Sequence, residues 1–258
     1  MEYIEPDRVR SPKKNWTLED VLDAGEEGKT ALAVGLWNGT KREDGLLAIG
    51  DRATRPWSFP VLAMRWNGLN EKGREKGDPQ DRGWPTWFVI EEKYYEAILG
   101  SGILAPDKLA RARRYLDPVL LRSSRPDRQT RREEPHALPR SQPDLKGHIE
   151  PKDVRSPKNW ELIEVLDAGE EGKSALAIGR WKETRGGHPL PRPVLAMRWN
   201  GYDVPIEEDG ETRFGYPQAG GGHPRWFVVD EKYYEAILRS GVLAPDKLAI
   251  ARGFFPEK

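Results

Sequence analysis

Two clusters of carboxylates and lysine could do chemistry in this 258-residue chain, and each is written twice. Asp23-Ala-Gly-Glu26-Glu27-Gly28-Lys29 returns as Asp167 to Lys173, and Glu91-Glu92-Lys93 returns as Asp230-Glu231-Lys232. Glu-x-Lys spacing can serve a Mg²⁺-dependent nuclease, with the first carboxylate sharing the ion and the lysine steadying the developing charge. Such a centre also needs a separate acid from another element. No well-spaced candidate for it stands in both copies. The plainer reading makes the first cluster a polar, glycine-punctuated turn and the second the acidic first turn of a helix, where the helix dipole favours negative charge.

Arg65-Trp66-Asn67 and its twin Arg198-Trp199-Asn200 raise a different question. An arginine inside an apolar strand must find a carboxylate, a carbonyl or a ligand, because a buried charge without compensation is very costly. Strand alternation turns Arg65 and Asn67 to one face and Trp66 to the other. The functional expectation is a binding surface made of Arg65, Asn67 and Trp87 in one copy and Arg198, Asn200 and Trp226 in the other, offered to a partner or a nucleic-acid backbone. The competing expectation is an internal ion pair followed by a strand-ending Asn-Gly.

Other constellations exclude more than they suggest. The four histidines stand at 136, 148, 188 and 223, so the folded part of the first copy has none. A histidine-based nuclease, hydrolase or zinc site repeated in each copy is excluded, which leaves only a site special to the second copy built on His188 and His223. No loop has the Gly-x-x-x-x-Gly-Lys-Ser or Gly-x-x-x-x-Gly-Lys-Thr spacing that cradles phosphate, and Gly220-Gly221-Gly222 precedes a strand and not a helix. Tyr94-Tyr95 and Tyr233-Tyr234 fall on different helix faces, which predicts one core and one more exposed ring in each pair. Two helices around Ser101-Gly102 have the outline of a helix-turn-helix with Lys108, Arg111, Arg113 and Arg114 on the second. Ile250 and Gly253 stand at the places of Arg111 and Arg114 in the second copy and weaken that outline.

What must position these residues is a duplicated domain. Val61 to Gly68 and Val194 to Gly201 are the same eight letters. Residues 16–37 match 160–181 at 16 of 22 positions, and residues 85–113 match 224–252 at 23 of 29. Length differs in two places: 38–60 against 182–193, and 69–84 against 202–223. Length changes are tolerated in surface loops and not in packed elements, so these loops are where the copies could have acquired different jobs.

Within one copy the pattern predicts a short helix over residues 16–22 (160–166), with Trp160, Ile163 and Leu166 on one face, then a strand at Ala31–Trp37. The small side chains of Ala31, Ala33 and Gly35 along that strand would admit a helix close to the sheet. A second strand follows at Val61–Trp66 and a third at Trp87–Ile90. A helix runs from Glu92 to Leu99 and a last one starts at Pro106. An extra strand is expected near Leu46–Ile49 in the first copy only.

The fold class is α+β, a tandem duplication of a small domain of about three antiparallel strands with helices on one face, packed as an intramolecular pseudo-dimer. Domain one is 1–116, a Pro/Arg-rich connector is 117–148, and domain two is 149–258. The connector holds five prolines and seven basic residues and no aromatic residue. It cannot bury enough to fold, and as a coil it spans roughly 30 Å.

Charge is balanced at 42 basic and 42 acidic residues, unlike the strong basic footprint of a typical nucleic-acid binder. Without cysteine there is neither a disulfide framework nor a thiolate metal site, and no apolar run spans a membrane. A cytoplasmic location follows as the default. No cofactor and no metal are expected. The leading expectation is a non-catalytic binding or adaptor protein that engages another protein through its pseudo-twofold surface or its divergent loops. Nucleic-acid binding through Arg65, Arg198 and the connector arginines is the first alternative, and a Mg²⁺-dependent nuclease the second.

Overall fold

The computed structural model describes residues 6–9, 16–26, 29–41, 47–48, 56–68, 77, 79–81, 84–123, 149–154, 160–169, 173–181, 192–200, 215, 217 and 225–257. Module 1 opens with a 3-10 turn at Pro6–Arg8, followed by strands β1 (Trp16–Asp23), β2 (Thr30–Lys41), β3 (Leu47–Ala48) and β4 (Pro56–Trp66). A small hairpin of β5 (Gln80–Asp81) and β6 (Trp84–Pro85) leads to β7 (Phe88–Val89). A 3-10 turn at Glu92–Tyr94 then runs into helix α1 (Tyr95–Leu99), and α2 (Pro106–Ser123) follows.

Module 2 repeats the plan with a 3-10 turn at Pro151–Asp153, β8 (Trp160–Asp167), β9 (Ser174–Trp181), β10 (Pro193–Trp199) and β11 (Phe227–Val228). A 3-10 turn at Glu231–Tyr233, α3 (Tyr234–Leu238) and α4 (Pro245–Phe254) complete it. The antiparallel sheets have the orders β1-β2-β4-β7 and β11-β10-β9-β8, so the α+β duplication expected from the sequence is the architecture found.

The element at residues 16–22 is a strand, not the predicted helix, and so is its counterpart at 160–166. The physical reason lies in its register on β2. Leu18 pairs with Gly35 but Asp20 with Val34, and Val21 pairs with Ala33 but Asp23 with Leu32, so two β-bulges interrupt the ladder. Each bulge adds a residue and reverses which face the following side chains take. β8 carries the same two bulges, at Leu162/Glu164 and Val165/Asp167. The result is buried residues at Trp16 and Leu22 with no simple alternation between them, a spacing that imitates a helical stripe. Each module therefore has four principal strands, one more than the pattern suggested.

The row of small residues on β2 also has a different neighbour from the one expected. A Cβ added at Gly35 would stand 2.5 Å from the indole of Trp16, and one at Gly179 would stand 2.0 Å from that of Trp160. Trp16 and Trp87, with ring centroids 6.2 Å apart, roof this face together with Val9 from the N-terminal turn. The flat indoles lie against Ala31, Ala33 and Gly35, where larger side chains would hold them off. On the opposite face Leu32, Val34, Leu62, Met64, Phe88 and Ile90 pack against α1 and α2, through Tyr95, Ile98, Leu99, Ala112 and Leu116.

The modules meet through this second face. Phe88 and Phe227 stack at 5.1 Å with their planes 12° apart, and the core is continuous from one module to the other. Among the described residues no strand of one sheet pairs with the other sheet, so the pseudo-dimer is joined by its faces and not edge to edge.

Three further details depart from or complete the sequence reading. In module 1 the hairpin of β2 and β4 runs on to Thr40–Pro56, whereas among the described residues of module 2 the last pair of the ladder is Arg180–Pro193, the counterpart of Leu36–Pro60. Residues 38–41, 47–48 and 56–60 of the first variable segment are thus strand and not loop. The extra strand expected near Leu46–Ile49 is present as β3, paired with Thr40 and Lys41 of β2. Helix α2 continues through Asp117-Pro118 to Ser123, past the boundary placed at 116, while residues 124–148 lie outside the described residues.

Candidate functional site

The two carboxylate–lysine clusters come together, each with the other copy's version of its complement. In module 1 the turn after β1 presents Asp23, whose Oδ1 accepts from the amide of Gly25, a glycine at φ 61°. Lys232 of module 2 donates to Asp23 Oδ2 at 2.5 Å and to the carbonyl of Thr30 at 3.1 Å, and the Tyr233 hydroxyl donates to the same carboxylate at 3.2 Å. Asp230 Oδ2 accepts from the amide of Thr30 at 3.1 Å.

The pseudo-twofold mate has the same parts. Lys93 donates to Asp167 Oδ2 at 2.7 Å and to the carbonyl of Ser174 at 3.4 Å, and Glu91 accepts from the amide of Ser174 at 2.9 Å. Glu91 and Asp230 differ in length yet accept from the same backbone position. Glu91, Lys93, Asp167, Gly169 and Lys173 line a shallow, open groove where the two modules abut.

The electrostatics explain why these groups hold. Partial burial alone would raise the carboxyl of Asp23, but the Lys232 hydrogen bond, the Gly25 amide, the Lys232 charge and the Tyr233 hydroxyl together keep it below its ordinary value of 3.8. The Tyr233 and Tyr94 hydroxyls are pushed far up, first by burial and then by the carboxylates of Asp23 and Asp167 respectively, so both stay protonated. A protonated tyrosine and an ammonium converging on one carboxylate make a stable join. Among the described residues no group of three or more histidine, aspartate or glutamate side chains has the arrangement to hold a metal ion. Glu27 and Glu171, the carboxylates of the nuclease-like spacing, lie outside the described residues, as do His188 and His223.

Both rings of each tyrosine pair are buried, which corrects the expectation of one exposed ring per pair. Two bodies cover that short helix. Tyr95 turns to its own sheet, where its hydroxyl accepts from the amide of Leu62, and Tyr94 turns to the other module.

Arg65, Asn67, Trp87, Arg198, Asn200 and Trp226 are all buried, the first two and the fourth and fifth at 0 % exposure. Asn67 Nδ2 donates to the carbonyls of Ala24 and Glu26 at 2.7 and 3.2 Å, and its amide donates to Lys29 O, so it pins the turn that carries Asp23. Asn200 does the same through Ala168 O and Lys173 O. Arg198 lies 6.0 Å from the centre of the Trp226 ring, and burial draws its guanidinium down to about 10, which leaves it cationic at neutral pH. Trp87 Nε1 donates to the carbonyl of Val9.

Sequence reasoning missed the piece that covers Arg65. Gly77, at φ 83°, passes so close that an added Cβ would lie 2.2 Å from Arg65 Nη2 and 2.4 Å from the carbonyl of Trp66. Gly77-Asp78-Pro79-Gln80 has its twin in Gly215-Tyr216-Pro217-Gln218, and Pro79 O and Pro217 O accept from the amides of Thr86 and Arg225. A one-residue offset between this motif and the following block hides it from a gapless alignment. Allowing that offset would have shortened the second variable segment to 69–76 against 202–214.

Lys108, Arg111 and Arg113 of the helix-turn-helix outline are engaged within the module. Lys108 and Arg111 pair with Asp20 at 3.1 and 3.0 Å, and Arg113 pairs with Glu96 at 3.1 Å. In module 2 Lys247 pairs with Glu164, and Arg252 makes a two-pronged pair with Glu235. No described helix is long and apolar enough to cross a membrane. Comparison with protein-family models, with curated proteins and with solved structures finds no match to the chain.

Proposed function

We propose that this chain is a non-catalytic binding or adaptor protein. The paired modules serve as a rigid base, and the segments that differ between them engage another protein. The observation that carries the reading is the arm of module 1. Past the last pair common to both modules its ladder continues through Trp37–Phe59, Asn38–Ser58, Gly39–Trp57 and Thr40–Pro56, and β3 joins it there. Module 2 forms the same order of four principal strands with 12 residues at 182–193 where module 1 has 23 at 38–60, so the core does not need the longer segment to fold. The length added in one copy only is therefore the natural place for a function that the duplication did not begin with.

In this reading Arg65, Asn67, Trp87, Arg198, Asn200 and Trp226 serve binding from below. Asn67 and Asn200 fix the point where the second variable segment leaves the sheet, Gly77 seats its return over Arg65, and Trp87 and Trp226 close the base. Rigid footing lowers the ordering cost that a binding loop otherwise bears on association.

The test is affinity purification with the full chain as bait, beside a variant whose residues 38–60 are replaced by residues 182–193. A protein partner retained by the parent and lost by the variant, with the melting temperature unchanged, is the expected result. Equal capture by both baits would remove the arm from the reading, and capture by neither would remove the adaptor role. An eluate whose absorbance ratio reports nucleic acid would favour the alternative.

A further inference from the structure

We infer that the face joining the modules also fits a second copy of this chain, engaged by exchange of modules so that module 1 of each copy pairs with module 2 of the other. The inference does not rest on the adaptor reading. The charged contacts across this face occur twice with the roles reversed. Lys232 on Asp23 answers Lys93 on Asp167, and Asp230 on the Thr30 amide answers Glu91 on the Ser174 amide. Phe88 and Phe227 meet at the centre. Nothing in this set of contacts distinguishes a module of the same chain from one of a second copy.

What ties a module to its own partner is the stretch between Ser123 and Ile149, since no described strand or helix passes from one module to the other. Exchange therefore rebuilds the same face twice in a closed twofold dimer, the arrangement expected of domain swapping. A linker of this length gives an effective concentration on the order of 1 mM, so the closed single chain prevails in dilute solution and the exchanged dimer gains as concentration rises.

A pair of full-length charge variants tests this. The first carries Lys93→Glu and Lys232→Glu, and the second Asp23→Lys and Asp167→Lys. Alone, each places like charges at both joins. In an exchanged heterodimer every join is again opposite: Asp23 with Lys232, Glu at 93 with Lys at 167, Asp167 with Lys93, and Glu at 232 with Lys at 23. Mixed at equal concentration, unfolded in urea and refolded together, the variants are expected to yield a one-to-one complex of twice the 29.4 kDa chain mass by native mass spectrometry. Neither alone should give that mass in more than about a tenth of the yield.

A mixture that refolds only to single-chain masses overturns the inference. Where a variant does not fold alone, so does a mixture that recovers no more folded protein, by circular dichroism, than the variants do separately. If either variant fails to fold alone, recovery of both in the mixture remains the supporting result. Parent chain labelled with ¹⁵N and refolded at high concentration with unlabelled chain gives an independent reading, because exchange must produce dimers of mixed mass.

Discussion

At the scale of single residues, Asn67 shows how a strand end governs a distant loop. Its amide group donates to Ala24 O and Glu26 O, and the turn so held carries the Asp23 that meets module 2. Asn67→Ala leaves those carbonyls without this donor in a part-buried site, and we expect a loss of about 1–3 kcal/mol in urea denaturation. Asn67→Asp should cost more, because a carboxylate would then face two carbonyl oxygens. A variant as stable as the parent would show that the turn holds itself. The sequence made it plain that Arg65, in an apolar strand, had to be compensated. That Gly77 would close over it depended on a segment joined to it by nothing in the local pattern.

At the scale of elements, β1 and β2 set each other's form. The bulges in β1 bring Trp16 over the small face of β2 and Leu22 to the other face, so glycine at 35 and 179 is a requirement of packing. Gly35→Ala and Gly179→Ala should each destabilise by about 1–3 kcal/mol, since the added methyl must displace a ring already in place. Gly253→Ala in α4 meets nothing within 4 Å and should instead stabilise by up to about 1 kcal/mol through helix propensity. Thermal melts of the three variants suffice, and a common sign would refute the packing argument. The helix predicted at residues 16–22 failed for the same reason, because bulges are properties of a strand pair and cannot be read from one strand alone.

At the scale of the whole molecule, the joins between modules make stability depend on acid. Asp23 has a folded value below its ordinary 3.8, so the unfolded chain takes up its proton first as pH falls. Its contribution is fully present above about 3.8 and is lost as pH drops below that toward the folded value. Asp23→Asn should therefore be less stable than the parent at neutral pH, with the gap narrowing below pH 3.8. Melting temperatures of both proteins across the acid range check this, and a gap that stays constant would assign the effect to something other than the carboxylate charge.

The duplication, the α+β class, the strands of the repeated octet and the last helix of each module could be read from the residues alone, because periodicity, glycine turns and capping are local properties. The sequence also showed which residues carry charge into apolar surroundings. Tertiary structure decided what those charges meet. Carboxylates and lysines that look like separate clusters along the chain are two halves of one join, distributed so that neither module contains a complete set. Pairing across such a face is set by the contact of surfaces from distant parts of the chain, and spacing along a single chain holds no record of it.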